Sequence, residues 1–221
     1  MKPIVEFWSS TQYTGFMEAI IRELNHHGFS TRQRFQVSEG SYRRNSGKLP
    51  RLWVRFRQYV IYPAQLAWVL LRSRKADILV VCTNTFYAPR IASLFHPKVI
   101  FLLYDLFPEA LIHNGSLAAD SFLEKRIRGI TRKSFSQSEA TVFLGSFLKA
   151  YAREHYGLPS IHRTIPVGAA GDEFPEPPSS ERLPPTFLYS GNFGRMHETE
   201  TLLCAFENWS RKPAFPDAFW R

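Results

Sequence analysis

The chain has 221 residues, of which 44% are hydrophobic and 15% aromatic, a composition that supports a real core and argues against global disorder. Its two cysteines, Cys82 and Cys204, are too few and too far apart for a disulfide framework or a metal-ligand cluster. The formal net charge is +9, and nine of the 28 basic residues lie within residues 40–76, where no acidic residue occurs. No signal peptide precedes the first strand-like segment, so we expect a cytoplasmic protein.

The chain opens with a strand, helix and strand, which is typical of a Rossmann-like unit. Residues 4–8 have a strand pattern, Gly28 ends the following helix as its C′ residue, and residues 29–37 are polar enough for a strand near a sheet edge. The intervening loop has no G-x-G-x-x-G pattern and offers only Gly15, so we do not predict a dinucleotide site. The helix is indicated by apolar residues at helical spacing, namely Phe16, Ile20, Ile21 and Leu24.

Residues 40–76, which we call the basic window, overlap a second helical pattern in residues 49–75, which Pro63 should split or kink. Its apolar part is too short to span a bilayer. Basic ends around an aromatic-rich middle suit a helix that lies on an anionic membrane surface. The same pattern also suits a core helix whose arginines face water, because one face must pack on the sheet.

Residues 99–104 form a continuous apolar run, as expected for a strand with both faces of a parallel sheet covered. Asp105 stands where this strand should emerge, Pro108 prevents its continuation, and Glu109 opens a helical pattern. Ligands of doubly wound sheets collect at the carboxyl ends of the strands, so Asp105 is a candidate functional group. The alternative is that Asp105 only caps the following helix.

Further strands and helices alternate through the rest of this region, which predicts a doubly wound parallel sheet. Ser121 and Glu124 form a capping box at the start of one helix, and Ser146 can cap another that Gly157 closes. The remaining strands are predicted at residues 77–82, 140–144 and 162–167.

The composition changes after residue 167, where several prolines lie among Ser, Glu and Gly. We therefore predict a first domain at residues 1–167, a linker at 168–185 and the beginning of a second Rossmann-like domain at 186–221. That second part reads as a strand at 186–189, a glycine loop at 190–195 and a helix at 198–209. The inward residues predicted for this helix are Leu202, Leu203, Phe206 and Trp209.

Four segments in this order resemble the retaining, GT-B type glycosyltransferases of family 4, especially the bacterial envelope-polysaccharide enzymes. They are Tyr104-Asp-Leu-Phe-Pro-Glu109, Thr141-Val-Phe-Leu-Gly-Ser-Phe-Leu-Lys-Ala-Tyr151, Thr164-Ile-Pro-Val-Gly168 and Leu188-Tyr-Ser-Gly-Asn-Phe-Gly-Arg-Met-His197. The resemblance covers nearly the whole chain to Trp209.

This resemblance implies two Rossmann-like domains, the first for an acceptor, commonly a lipid-linked saccharide at the inner membrane face, and the second for a nucleotide-sugar donor. It implies no metal and no cofactor besides that donor substrate, because basic side chains and backbone amides hold the diphosphate. On the acceptor side, Asp105 is the expected catalytic residue, and Gly15 and Glu109 belong to the acceptor-side loops. The residues expected to bind the donor phosphates are Gly191, Asn192, Gly194, Arg195 and His197.

The chain departs from the family pattern at three places. Tyr104 precedes Asp105 where many relatives carry His, and Val167 replaces the usual Asn of the turn before the linker. The two-glutamate motif of the donor domain would lie beyond Arg221, whereas a complete domain of this type needs on the order of 100–150 residues. We therefore expect the product of a truncated or frameshifted gene that is inactive alone, or half of a split enzyme with a separate donor-domain subunit.

The expected function is transfer of a sugar from a nucleotide sugar to a lipid-linked or saccharide acceptor in envelope-polysaccharide synthesis. The expected location is cytoplasmic and peripheral, on the inner face of an anionic membrane. An alternative is a non-catalytic module that docks on the membrane or serves as the partner of a split transferase. We do not expect nucleic acid as a partner, although the basic window interleaves aromatic residues.

Overall fold

Six strands form one parallel sheet in the computed structural model, which describes residues 2–12, 15–38, 40, 48–72, 76–83, 85–166 and 199–210. The strands lie in the order β2-β1-β3-β4-β5-β6, and every neighbouring pair is parallel. Helices cover both faces of the sheet, so the α/β, Rossmann-like class predicted for the first domain is confirmed. The strands are β1 Ile4–Thr11, β2 Ser30–Val37, β3 Ile78–Cys82, β4 Val99–Leu103, β5 Ala140–Phe143 and β6 Ile161–Thr164.

The structure also describes eight α-helices and one π-helical turn. The π-helical turn, Arg57–Ile61, separates the second helix from the third. The helices are α1 Phe16–His26, α2 Lys48–Phe56, α3 Tyr62–Arg72, α4 Ala88–Phe95, α5 Glu109–His113, α6 Phe122–Gln137, α7 Ser146–Tyr156 and α8 Thr199–Ser210.

The core lies on both faces of the sheet because successive residues of each strand point to opposite sides. On one face Phe7 and Val80 pack with Met17 of α1. On the other face Trp8 and Val81 pack with residues of α3 and α4. Further along that second face, α6 and α7 are held by a third cluster, whose members include Phe101, Leu103, Phe135, Phe143, Ala152 and Tyr156.

Several local signals of the sequence have the predicted outcome. Gly28 has φ +88° just after α1, where a residue without Cβ is least strained, and β2 is an edge strand. Pro63 follows the π-helical turn, which is a common way to accommodate a break in the backbone hydrogen-bond ladder. The Oγ of Ser121 accepts a hydrogen bond of 3.2 Å from the Glu124 amide at the start of α6.

Two predictions about helix residues are wrong. Ser146 is the first residue of α7 and does not cap it. Gly145 occupies the N-cap position, and it has no side chain that could accept a capping hydrogen bond. In α8, the side chains of Leu202 and Leu203 are 52% and 47% exposed, although both were predicted to face inward. Apolar periodicity identifies one face of a helix but does not show whether another element packs on that face.

The predicted linker, second-domain strand and glycine loop lie outside the described residues, so the domain boundaries remain a prediction. The two cysteines have opposite environments: Cys82 is buried in β3, whereas Cys204 is exposed on α8. Among the residues that the structure describes, none of the helices is long and apolar enough to cross a membrane.

Candidate functional site

The candidate site begins where β4 ends at the carboxyl edge of the sheet. Thr83, which follows the neighbouring strand β3, is 2% exposed, and its Oγ1 accepts hydrogen bonds from the amides of Tyr104 and Asp105 at 2.9 Å and 3.0 Å. One buried hydroxyl therefore holds the two residues at which the chain leaves the sheet. This bond connects the ends of two adjacent parallel strands.

The next few residues are held by α6. The bond between Phe107 and Pro108 is cis, and the Phe107 carbonyl accepts a hydrogen bond of 2.7 Å from the Oγ1 of Thr131, a buried residue of α6. Pro108 is the N-cap residue of α5, so that helix begins at Glu109. The loop between β4 and α5 is thus anchored to both the sheet and a neighbouring helix.

Asp105 does not cap α5, so the capping alternative is wrong. The N-cap position belongs to Pro108, three residues later, and no side-chain hydrogen bond caps this helix. Among the described residues, the Asp105 carboxylate has neither a hydrogen bond nor a salt bridge. Although the residue is exposed, desolvation of its carboxyl group raises the pKa of Asp105. Such a group is available to a ligand.

Glu109 is held by several side chains from other helices. The hydroxyl of Tyr156 lies 2.6 Å and 2.7 Å from its two carboxylate oxygens, and Nη1 of Arg128 donates to one of them at 2.8 Å. The hydroxyl of Tyr151 lies 3.4 Å from the same oxygen. These contacts join α5 to α6 and α7, and we call Glu109, Arg128 and Tyr156 the carboxylate clamp.

Arg128 is itself fixed by a second carboxylate. Its Nε donates to Glu124 at 2.5 Å, with Glu124 one helical turn earlier in α6, and its Nη1 also donates to the Tyr156 hydroxyl at 3.0 Å. Desolvation lowers the pKa of Arg128, but the hydrogen bond to Glu124 and the nearby carboxylates raise that pKa by more. The net effect is a raised pKa, so the guanidinium stays charged. Desolvation, and then Glu109, raise the pKa of Tyr156, which keeps its hydroxyl protonated as a donor.

A pocket of about 500 Å³ opens in front of the Glu109 side chain. It brings together two of the predicted site residues, Asp105 and Glu109, within one cavity. Burial, with a further contribution from Cys82, raises the pKa of Tyr104 to about 12, so that hydroxyl also remains neutral. The lining residues are Tyr104, Asp105, Leu106, Glu109, Ala110, Ile112, His113, Arg128, Leu148 and Tyr151.

The other predicted site residues are placed elsewhere. Gly15 lies at the same edge of the sheet, after β1, where it is the N-cap residue of α1 with φ +57°, but it does not line the pocket. Its positive φ explains why glycine suits this turn. The residues predicted to bind donor phosphates lie outside the described residues, namely Gly191, Asn192, Gly194, Arg195 and His197.

Four polar pocket residues were not predicted from the sequence, namely Tyr104, His113, Arg128 and Tyr151. Arg128 follows Glu124 by four residues, a spacing that indicates an ion pair on a helix. No local spacing indicates that Arg128 also contacts Glu109, since that contact joins separate helices. Tyr104 was noted only as the residue that replaces His in the family pattern.

One group of possible metal ligands occurs among the described residues, on the exposed surface of α1. Glu23, His26 and His27 can bring one ligand atom each within 4.8 Å of one another. All three residues are exposed, and Glu23 already pairs with His27 at 3.0 Å. None of them lines the pocket, so this group has no part in the site described above.

The fold and pocket together describe an α/β protein with a Rossmann-like parallel sheet and a polar cavity at the carboxyl edge of its strands. The chain is similar to a protein of Pseudomonas aeruginosa named probable glycosyltransferase WbjE, with 28% identity over 151 residues. The alignment covers 62% of this chain and 37% of that protein, so the chain spans well under two thirds of its relative. No family model matches the chain.

Proposed function

We propose that this chain is the acceptor-binding part of a glycosyltransferase that transfers a sugar from a nucleotide sugar to a lipid-linked or saccharide acceptor. One observation carries the proposal: Asp105 lines the same pocket as Glu109, and its carboxylate has no hydrogen-bond or salt-bridge partner among the described residues. The similarity to a protein named as a probable glycosyltransferase supports the same class.

The chemistry of the pocket suits a saccharide. Sugar hydroxyl groups donate hydrogen bonds, and the carboxylates of Asp105 and Glu109 are acceptors at two points of one cavity. The rings of Tyr104 and Tyr151 add apolar faces with hydroxyl groups at their ends. The volume of about 500 Å³ falls in the range that holds small-molecule ligands.

In this proposal Asp105 contacts the acceptor hydroxyl that attacks the donor. The carboxylate accepts a hydrogen bond from that hydroxyl and orients its oxygen toward the anomeric carbon of the donor sugar. As the new bond forms, the bond to the nucleoside diphosphate breaks and the diphosphate takes the electron pair. The proton of the attacking hydroxyl passes to the Asp105 carboxylate. Glu109 is held by Arg128 and Tyr156 and therefore supplies a fixed second contact to the acceptor.

The departing diphosphate requires cations and backbone amides that are positioned before the reaction. We propose that Gly191, Asn192, Gly194, Arg195 and His197 supply them. A glycine loop lets the backbone approach a phosphate, and Arg195 provides the positive charge. Transfer with retention of configuration, and a role in envelope-polysaccharide synthesis, belong to the same proposal because they rest on the family resemblance.

A transfer assay tests the proposal, with a panel of labelled nucleotide sugars and lipid-linked or saccharide acceptors. The purified chain is assayed alone and with a separately expressed donor domain. We expect transfer in at least one arrangement, and Asp105→Asn should lower its rate by about tenfold or more. Asp120→Asn is the matched control, because Asp120 is exposed, lies outside the pocket and has a φ of 59° that Asn tolerates. Absence of transfer in both arrangements, or full activity of Asp105→Asn, would overturn the proposal.

A further inference from the structure

Helices α2 and α3 carry an apolar face that points away from the sheet. Its members lie three or four residues apart or side by side from α2 into the π-helical turn, and an interval of eight residues separates them from the last pair on α3. Their exposed fractions range from 44% to 79%, which is unusual for so many large side chains in one row. We call this set the exposed stripe, and it consists of Leu49, Leu52, Trp53, Phe56, Val60, Trp68 and Leu71.

The exposed stripe is separate from the face by which the same helices pack on the sheet. That inner face is buried: Tyr62 and Leu66 are 0% exposed, Leu70 is 3% exposed and Val54 is 5% exposed. The core-helix alternative left open by the sequence is therefore confirmed for the inner face, whereas the alternative of a helix on an anionic membrane surface stays a prediction that concerns the opposite side of the segment. The core needs only the inner face, so packing on the sheet does not explain the exposed stripe.

Three exposed arginines lie on the same two helices as the exposed stripe. Arg51, Arg55 and Arg72 are exposed, and the guanidinium of Arg72 lies 3.7 Å from the centroid of the Trp68 ring. Arg57 is not available in the same way, because its guanidinium donates to the Gln36 carbonyl at the edge strand. The segment has no acidic residue between positions 40 and 76 that could neutralise these arginines.

We infer that the exposed stripe docks on an anionic lipid bilayer and lies in its interface. Aromatic and aliphatic side chains enter the boundary between headgroups and acyl chains, while arginines pair with anionic headgroups. Trp53 and Trp68 lie on α2 and α3, on either side of the π-helical turn, a distribution that suits an interface helix lying flat. A second copy of the chain fits this surface poorly, because three unneutralised arginines would face three others in a chain of net charge +9.

Vesicle sedimentation with the whole 221-residue chain tests the inference. One set of vesicles contains phosphatidylcholine alone, and the other contains phosphatidylcholine with about 30% phosphatidylglycerol. We expect strong binding only to the second set. Each cation near an anionic surface contributes enough that Arg51→Gln with Arg55→Gln should weaken this binding by about 30-fold. The matched control is Arg126→Gln with Arg153→Gln, two exposed arginines on α6 and α7, and it should have a smaller effect.

The apolar part of the surface is tested with Trp53→Ser and Phe56→Ser, two side chains that stack at 5.5 Å on the exposed stripe. Phe122→Ser with Phe147→Ser is the control, since these residues are also exposed but lie on α6 and α7. We expect only the first pair to abolish sedimentation with anionic vesicles. Circular dichroism confirms that each variant is folded.

The inference is overturned by equal binding to both kinds of vesicle, by no binding to either, or by equal effects of the stripe and control variants. It is also overturned if the chain forms a dimer that Trp53→Ser with Phe56→Ser dissolves, without any binding to anionic vesicles. None of these readouts uses sugar transfer. Failure of membrane docking can therefore be distinguished from failure of the proposed function.

Discussion

The hydroxyl of Tyr156 should contribute measurably to the stability of the first domain. Tyr156 is 6% exposed, and its ring packs edge-on against Phe135 with the centroids 5.9 Å apart. Tyr156→Phe keeps this ring and removes only the hydroxyl. That hydroxyl donates to Glu109 and accepts from Arg128, so the substitution takes one member out of the carboxylate clamp.

The magnitude follows from the charges in the clamp. A hydrogen bond to a charged group contributes about 1.5–3 kcal/mol to stability. The hydroxyl contacts one carboxylate and one guanidinium. In the variant, Glu109 keeps its bond to Arg128, and because the Glu109 side chain is 22% exposed, water replaces part of the lost hydrogen bonding. We therefore expect Tyr156→Phe to lower the free energy of unfolding by about 2 kcal/mol.

Urea unfolding followed by circular dichroism measures this loss. A loss of about 2 kcal/mol should lower the urea midpoint by roughly 1 M with an unchanged slope. Tyr151→Phe is the matched control, because its hydroxyl lies 3.4 Å from Glu109 and the residue is 40% exposed. The control should lose less than about 0.5 kcal/mol, as surface substitutions generally do.

A double-mutant cycle decides whether the loss comes from the clamp. Glu109→Gln is combined with Tyr156→Phe, and the coupling free energy between the two positions is calculated from the four stabilities. We expect a coupling of about 1 kcal/mol or more, since groups in one hydrogen-bond network do not act additively. Additive losses, or equal losses for Tyr156→Phe and Tyr151→Phe, would refute the reasoning.

Two more predictions concern the loop between β4 and α5. Thr83→Val should lower the free energy of unfolding by about 2 kcal/mol in urea titrations, because the amides of Tyr104 and Asp105 lose their acceptor; a neutral effect would contradict this role. Asp105→Asn should be at least as stable as the parent at pH 7. Because desolvation raises the folded pKa of Asp105, the parent loses stability as the pH rises from the unfolded value of about 4 through that folded pKa. The advantage of the variant should therefore disappear in melts below about pH 4, and an advantage confined to acid would show that the sign is wrong.

Much of the sheet could be predicted because its signals are local. The apolar run that became β4, the C′ glycine at Gly28 and the cap at Ser121 each depend on residues within a few positions of one another. The kink signal at Pro63 was also local, although the sequence could not show that a π-helical turn would precede it. Such features follow from backbone geometry and need no knowledge of distant contacts.

The site was harder to predict because its contacts join distant parts of the chain. Glu109 meets Tyr156 across 47 positions and Arg128 across 19. The capping box was only half informative: Ser121 accepts the Glu124 amide, but the Glu124 carboxylate binds Arg128. The capping box and the spacing of four residues between Glu124 and Arg128 are both local patterns, but neither pattern ranks the two competing partners of the Glu124 carboxylate.

Like contacts between distant residues, the solvent exposure of a helix face could not be predicted from periodicity. The helical pattern of residues 49–75 identified apolar positions, but those positions occupy two faces, and only three-dimensional packing shows which one meets the sheet. The same limit explains the error at Leu202 and Leu203 in α8, where apolar spacing was interpreted as burial.

The contrast between the two cysteines makes the chain suitable for single-site labelling. Cys82 is 1% exposed within β3, and Cys204 is exposed on α8, so a maleimide dye should react at one position in the folded protein without any engineered thiol. A fluorophore at Cys204 would lie seven residues after His197, the last in sequence of the residues predicted to bind the donor phosphates. Changes in its emission during titration with nucleotide sugars would then give a direct optical signal of donor binding in the unmodified sequence.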